Sequence, residues 1–153
     1  MRILYRERIN KLLAGILEYP LFIVTAPMGY GKTTAVRELL KHKRINPIWV
    51  SLIASDGSTA YFWDRLTTQI AQFYKQLGEQ LKSLGFPADA PQTAKILEIM
   101  DSFEFKKNTV LVIDDFHLAA SPGNFNLISY IVKEGIPNLH IVLIMRDMTN
   151  IRF

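Results

Sequence analysis

The chain has no cysteine. That excludes disulfides and thiolate metal sites, and it is compatible with a reducing compartment. Long apolar runs are missing too: no stretch approaches the roughly 18 residues of a membrane span. The N-terminal MRILYRERINKLL is too charged for a secretory signal. A cytoplasmic protein without membrane contact is therefore expected. Charge of one sign is scarce, with 18 basic against 14 acidic residues and a net charge of +4. The one dense cluster is KHKR at 41–44. It falls where a helix should end, where the helix dipole favours cations, and reads as a solvated helix end rather than a DNA contact. There is no internal repeat and no low-complexity tract. His42, His117 and His140 share no metal-ligand spacing. His117 reads as a turn residue and His140 as a strand-edge residue. What is present is 153 residues of 49% hydrophobic content, enough for one domain with a sizeable core.

The segment VTAPMGYGKTT, residues 24–34, puts two glycines and a lysine where an apolar run ends. Leu21 to Val24 has no polar alternation, which predicts a strand covered on both faces, as in a parallel sheet. Ala35, Val36, Leu39 and Leu40 recur at helical spacing, so a helix is expected from Thr33 to Lys41. Strand, glycine loop and helix are the context of a phosphate-binding loop, G-x-x-x-x-G-K-[ST]. Ala26 stands in place of the first glycine. Gly29 and Gly31 allow the tight curl that points backbone N–H groups at phosphate oxygens. The helix N-terminus adds donors and a positive dipole end. Lys32 would reach the β- and γ-phosphates, and the Thr33 hydroxyl would ligate Mg²⁺. The candidate nucleotide-binding residues are Gly29, Tyr30, Gly31, Lys32, Thr33 and Thr34.

TVLVIDDFHL, residues 109–118, supplies the carboxylate such a site needs. Val110 to Ile113 is a second buried-strand pattern, ending in Asp114 and Asp115. Ligands of open α/β sheets bind at the carboxyl ends of the strands, so both motifs should meet on one edge. Asp114 suits the Mg²⁺ shell, and Asp115 would orient or deprotonate an attacking water. Further strands are expected at Pro47–Leu52 and Leu139–Met145. Arg146 follows the last of these, placed to read the γ-phosphate. Between them the pattern predicts one long helix from Phe62 to Leu84, capped by Ser58 or Thr59 and ended by Gly85. Two more helices should follow DAPQ and SPGN, the first with Phe103 on its face and the second stopped by Gly135 and Pro137. A helix from Arg6 to Leu17 should lead the chain. Strand–helix repeated four times argues for a three-layer α/β sandwich with a parallel sheet.

APMGYGKTT, LVIDDFHL and NLHIVLIMRD, with WVSL…YFWDRL and the leading RERINKLL, resemble the nucleotide-binding region of the large ATP-binding LuxR-type transcription activators. These are relatives of the maltose-regulon activator in the STAND class of P-loop NTPases. The resemblance covers nearly the whole chain. It implies a strand order 1-4-3-2 with a fifth strand missing, and it assigns a sensor role to Arg146. Met145 and DMTN depart from the family pattern around that arginine. It also places Tyr5, Arg6 and Ile9 near the base.

The expected function is therefore an ATP-binding, slowly hydrolysing regulatory switch, within a single domain over 1–153 that is a fragment of a larger regulator. Its cofactors are ATP or ADP with Mg²⁺. The resemblance implies self-association of the ATP-bound full-length protein, and DNA contact only through C-terminal parts absent from this chain. The fragment alone should hydrolyse little. Two alternatives stand beside this reading: a P-loop ATPase of another class, such as a loader or motor, and a scaffold that no longer binds nucleotide.

Overall fold

The computed structural model describes residues 14–25, 31–53 and 58–146. In chain order the elements are β1 (Leu21–Thr25), α1 (Lys32–His42), β2 (Ile48–Ser51), α2 (Thr59–Phe73), α3 (Lys75–Leu84), α4 (Ala90–Ser102), β3 (Thr109–Asp114), α5 (Pro122–Glu134) and β4 (Leu139–Met145). Short 3₁₀ turns cover Ala14–Glu18 and Phe116–Ala119. The first is all that is described of the expected leading helix, whose residues 6–13 lie outside the described ones.

The four strands form one sheet in the order β1-β4-β3-β2, and every pairing is parallel. This is the expected order. The apolar runs explain it. Every residue of β3 is buried, and so is all of β4 except His140, which is half-buried. Alternate residues serve two separate cores. Val110, Val112, Val142 and Ile144 face Ala35, Val36, Leu39 and Leu40 of α1. Leu111, Ile113, Ile141 and Leu143 face α2 to α5 on the other side. Among the described residues the sandwich thus has three layers, with one α-helix on one face and four on the other.

The helix starts follow local chemistry. Ser58, Asp89 and Ser121 accept from the backbone N–H groups of Tyr61, Gln92 and Asn124. Each such cap contributes about 1 kcal/mol. Gly85 and Gly135 end their helices at positive φ, as anticipated. Phe103 is not on a helix face but is the extended residue that closes α4.

The single helix expected from Phe62 to Leu84 is two helices, broken at Tyr74 (φ −134°, ψ 83°). They fold back on one another. The buried Trp63 Nε1–H donates to the Leu81 carbonyl at 3.0 Å, and Lys82 pairs with Asp64 at 3.3 Å. Tertiary contacts override the helical pattern at the break. The Tyr74 ring packs edge-on against Phe103 and Phe105, with centroids 4.9 and 5.5 Å away. Its hydroxyl lies 2.9 Å from Thr109 Oγ1 and accepts the Lys106 N–H at 3.2 Å. A continuous helix would pull that side chain out of all these contacts.

Among the described residues β1 pairs only with β4. The strand is apolar from Leu21 to Val24, and Ile23 is partly exposed. The other edge of such a strand offers unpaired N–H and C=O groups to another strand. The chain is expected to self-associate at moderate concentration. Light scattering over a concentration series measures this. A strictly monomeric chain, with residues 21–24 protected from amide exchange, would show that the edge is covered.

Candidate functional site

The parallel sheet brings three chain segments to one edge. β1 leads, through residues 26–30, to Gly31 and the first turn of α1. Next to it, β4 ends at Met145 and delivers Arg146. β3 then ends at Asp114, followed by Asp115. Gly31 has φ +68°. A side chain there would strain the backbone, which is why glycine fits the turn into the helix. Gly29 and Tyr30 lie outside the described residues, as do Tyr5, Arg6 and Ile9.

The Thr33 hydroxyl points across to Asp114 and donates to its carboxylate, with Oγ1 3.1 Å from both Oδ1 and Oδ2. These residues are 81 positions apart in sequence. Asp114 is buried, and its backbone carbonyl accepts from Leu52 N–H at 3.2 Å. Burial pushes the Asp114 carboxyl above its ordinary value, and the Asp115 charge adds to this. The Thr33 hydrogen bond pulls it down. Asp115 differs. It is exposed and sits in the left-handed region (φ 57°, ψ 40°), a conformation aspartate tolerates, and its carbonyl caps the 3₁₀ turn at Leu118.

Gly31, Lys32, Thr33, Thr34, Asp115 and Arg146 line one cavity of about 460 Å³, and His117 and Leu118 complete its wall. That volume lies within the range of small-molecule sites. The described candidates are thus gathered on one edge, with Asp114 joined to the cavity through Thr33.

Sequence reasoning missed His117, which it left as a turn residue. The Arg146 backbone N–H donates to His117 Nδ1 at 3.3 Å. A ring nitrogen that accepts carries no proton, so the neutral ring bears its hydrogen on Nε2. His117 therefore ties the end of β4 to the segment after β3. Its signal was positional: it stands two residues beyond Asp115, at the carboxyl edge where ligands of such sheets bind.

Burial holds His117 below its ordinary value of 6.5. Asp115 opposes this, whereas Arg146 and Lys32 add to it. The sign of the consequence follows. A histidine depressed in the fold stabilises fully above 6.5, and that stability is lost as pH falls through the folded value. Asp114, with its raised value, acts the other way at lower pH. The difference between parent and His117→Gln isolates the histidine. In urea unfolding, the parent should lose more stability than His117→Gln as pH falls below 6.5. Parallel curves would contradict the assignment.

A glycine turn and lysine between a half-buried parallel strand and a helix, with a carboxylate at the end of another strand, define a P-loop NTPase. The chain belongs to the AAA domain family, whose model matches residues 18–149. It is also similar to the HTH-type transcriptional regulator MalT of two Klebsiella pneumoniae strains. Identity to each is 26% over 149 residues, covering 94% of this chain. The chain spans 16% of those relatives' length. Among solved structures, that of C. elegans PCH-2 aligns at a TM-score of 0.43 and 13% identity, covering 99% of this chain and 36% of that one.

Proposed function

We propose that this chain is the ATP-binding switch module of a larger LuxR-type transcription regulator, one that hydrolyses ATP slowly and is reset by that hydrolysis. The observation that carries the reading is the Thr33–Asp114 contact beside a cavity that holds Lys32, Asp115 and Arg146. A hydroxyl and a carboxylate 3.1 Å apart are two hard oxygen donors, the kind Mg²⁺ takes together with phosphate oxygens and water. Among the described residues no group of three or more His, Cys, Asp or Glu gathers, as suits an ion held partly by its substrate. Bound there, Mg²⁺ would neutralise phosphate charge.

The chain's own residues divide the remaining work. The N–H groups at the start of α1 and the Lys32 ammonium bind the phosphates. Asp115 is exposed and acceptor-only when ionised, so it orients the attacking water. The Arg146 guanidinium pairs with the terminal phosphate oxygens. Loss of that phosphate releases Arg146. The Arg146–His117 contact then carries the change to the segment that holds both aspartates.

The MalT relatives are named as transcriptional regulators, which supports the regulatory role. Self-association of the ATP-bound longer protein, and sequence-specific DNA binding by its C-terminal parts, belong to this proposal. No described helix is long and apolar enough to cross a membrane, in keeping with a cytoplasmic site of action.

The test separates the two aspartates in the longer protein. Asp114→Asn should remove most of the Mg²⁺ dependence of ATP binding. Asp115→Asn should leave binding within about twofold while lowering turnover roughly 100-fold, the scale of general-base catalysis. The reading fails if Asp115→Asn loses binding while Asp114→Asn keeps both metal dependence and turnover.

A further inference from the structure

The opposite edge of the sheet carries a second cavity, of about 300 Å³. Lys43 and Arg44 reach it from the end of α1, and Lys106 and Lys107 from the segment before β3. Among the described residues no carboxylate lines it. Glu104, two residues before Lys106, is not part of its wall. The helix dipole accounts for cations at 41–44, the bland reading of KHKR. It does not account for Lys106 and Lys107, because α4 ends at Ser102. Four like charges around one concavity repel each other and raise the local concentration of anions.

Arg44 is a second, independent sign. It has φ 58°, and the turn is closed by Arg44 N–H to Lys41 O and Ile45 N–H to Leu40 O. That pair of bonds is the helix-ending arrangement in which glycine is preferred at the left-handed position. An arginine is held there against its backbone preference, and its side chain lines the pocket. Beside the four cations, the Phe73 ring is 40% exposed on the wall, and Asn108 lines it as well.

We propose that this pocket binds single-stranded nucleic acid without sequence preference: phosphates lie on Lys43, Arg44, Lys106 and Lys107, and an unstacked base lies on Phe73. A positive groove with an aromatic platform is the arrangement such strands use. An acidic peptide would use the cations and leave the ring unmatched. The pocket is lined by none of the residues of the nucleotide site, and the binding needs no ATP.

The experiment is fluorescence anisotropy of a labelled 12-residue oligothymidine, titrated with the 153-residue chain in the absence of ATP at several salt concentrations. Four phosphate contacts to a single strand give a slope of log affinity against log salt of roughly −3. Arg44→Gly should make the slope shallower by about 0.7, and Lys106→Gln with Lys107→Gln by about 1.4. Arg44→Gly relieves the backbone, so its thermal midpoint should equal or exceed the parent's; a loss of binding is then not a loss of fold. Phe73→Ala should weaken binding about 5-fold or more at every salt concentration, leaving the slope unchanged. Lys133→Gln, the same charge change on a distant helix, should alter nothing. The proposal is overturned if Lys133→Gln weakens binding as much as Arg44→Gly does. It is equally overturned if duplex DNA or polyglutamate binds as tightly as the single strand, or if no salt-dependent binding occurs.

Discussion

Lys32→Ala is expected to weaken Mg-ATP binding by at least about 100-fold while leaving the fold intact. The magnitude comes from the charge. A hydrogen bond to a charged group is worth about 1.5–3 kcal/mol, and a lysine between two phosphates makes more than one. A loss of about 2.7 kcal/mol is already a factor of 100. The fold should not suffer, because Lys32 is the first residue of α1 and half-exposed, outside both cores. Alanine is the best helix former, so the substitution should move stability by no more than about 0.5 kcal/mol. Calorimetric titration with Mg-ATP measures the first part and a thermal melt the second. Equal affinity in parent and variant would remove Lys32 from the site. A large drop in melting temperature would mean that the lost binding reports unfolding instead.

The largest effect on stability is expected from Gly78→Ala. Gly78 is buried inside α3, and a Cβ added there would sit 2.3 Å from the Ala71 nitrogen and 2.5 Å from its Cα and Cβ. Those atoms belong to α2, so the two helices touch backbone to backbone at this point. Propensity alone favours the substitution, since alanine exceeds glycine by about 1 kcal/mol in a helix interior. Packing opposes it and should win. The backbone of Ala71 cannot rotate away as a side chain can, so the hairpin must open. Overpacking of this kind costs about 1–3 kcal/mol and occasionally more. With Trp63 and Leu81 held across the same interface, the cost should fall at the upper end of that range, a net loss of about 1–2 kcal/mol and a fall of roughly 2–8 °C in melting temperature. A melting temperature equal to or above the parent's would show that the hairpin is looser than described.

The same hairpin marks where reading the chain in order stops working. Two strands could be found because buried parallel strands are continuous apolar runs, and Val110 and Leu139 open such runs. Leu21 opens one too, but among the described residues β1 pairs on one side only and none of its residues is buried, so the expectation that it is covered on both faces does not hold. Ser58 could be found because a cap is a local bond between a side chain and an N–H three residues on; Asp89 and Ser121 cap in the same way but were read only as parts of the segments that precede their helices. The break at Tyr74 could not, because its cause lies about thirty residues away in Phe103, Phe105 and Thr109. Gly78 was the one local sign, a glycine in the middle of an apolar stripe. Strand order came from family resemblance rather than from periodicity, which says only that the strands are buried. At the candidate site, Lys32, Thr33, Asp114 and Asp115 were legible from two motifs, and Arg146 from its place after a strand. His117 was not, since its contact with Arg146 exists only once β3 and β4 are neighbours. The basic pocket has the same origin. KHKR is visible in sequence, but Lys106 and Lys107 join it only through the sheet.

The central claim is that the cavity between α1 and the ends of β3 and β4 is a nucleotide site. Amide chemical shifts of the isotope-labelled chain, followed during titration with ATP in the presence of Mg²⁺, test it most directly. The largest changes are expected at Gly31 to Thr34, at Asp114 to His117 and at Arg146, and withdrawal of Mg²⁺ should diminish those at Thr33 and Asp114 first. Shifts confined to another surface, or no saturable change at these amides, would contradict it.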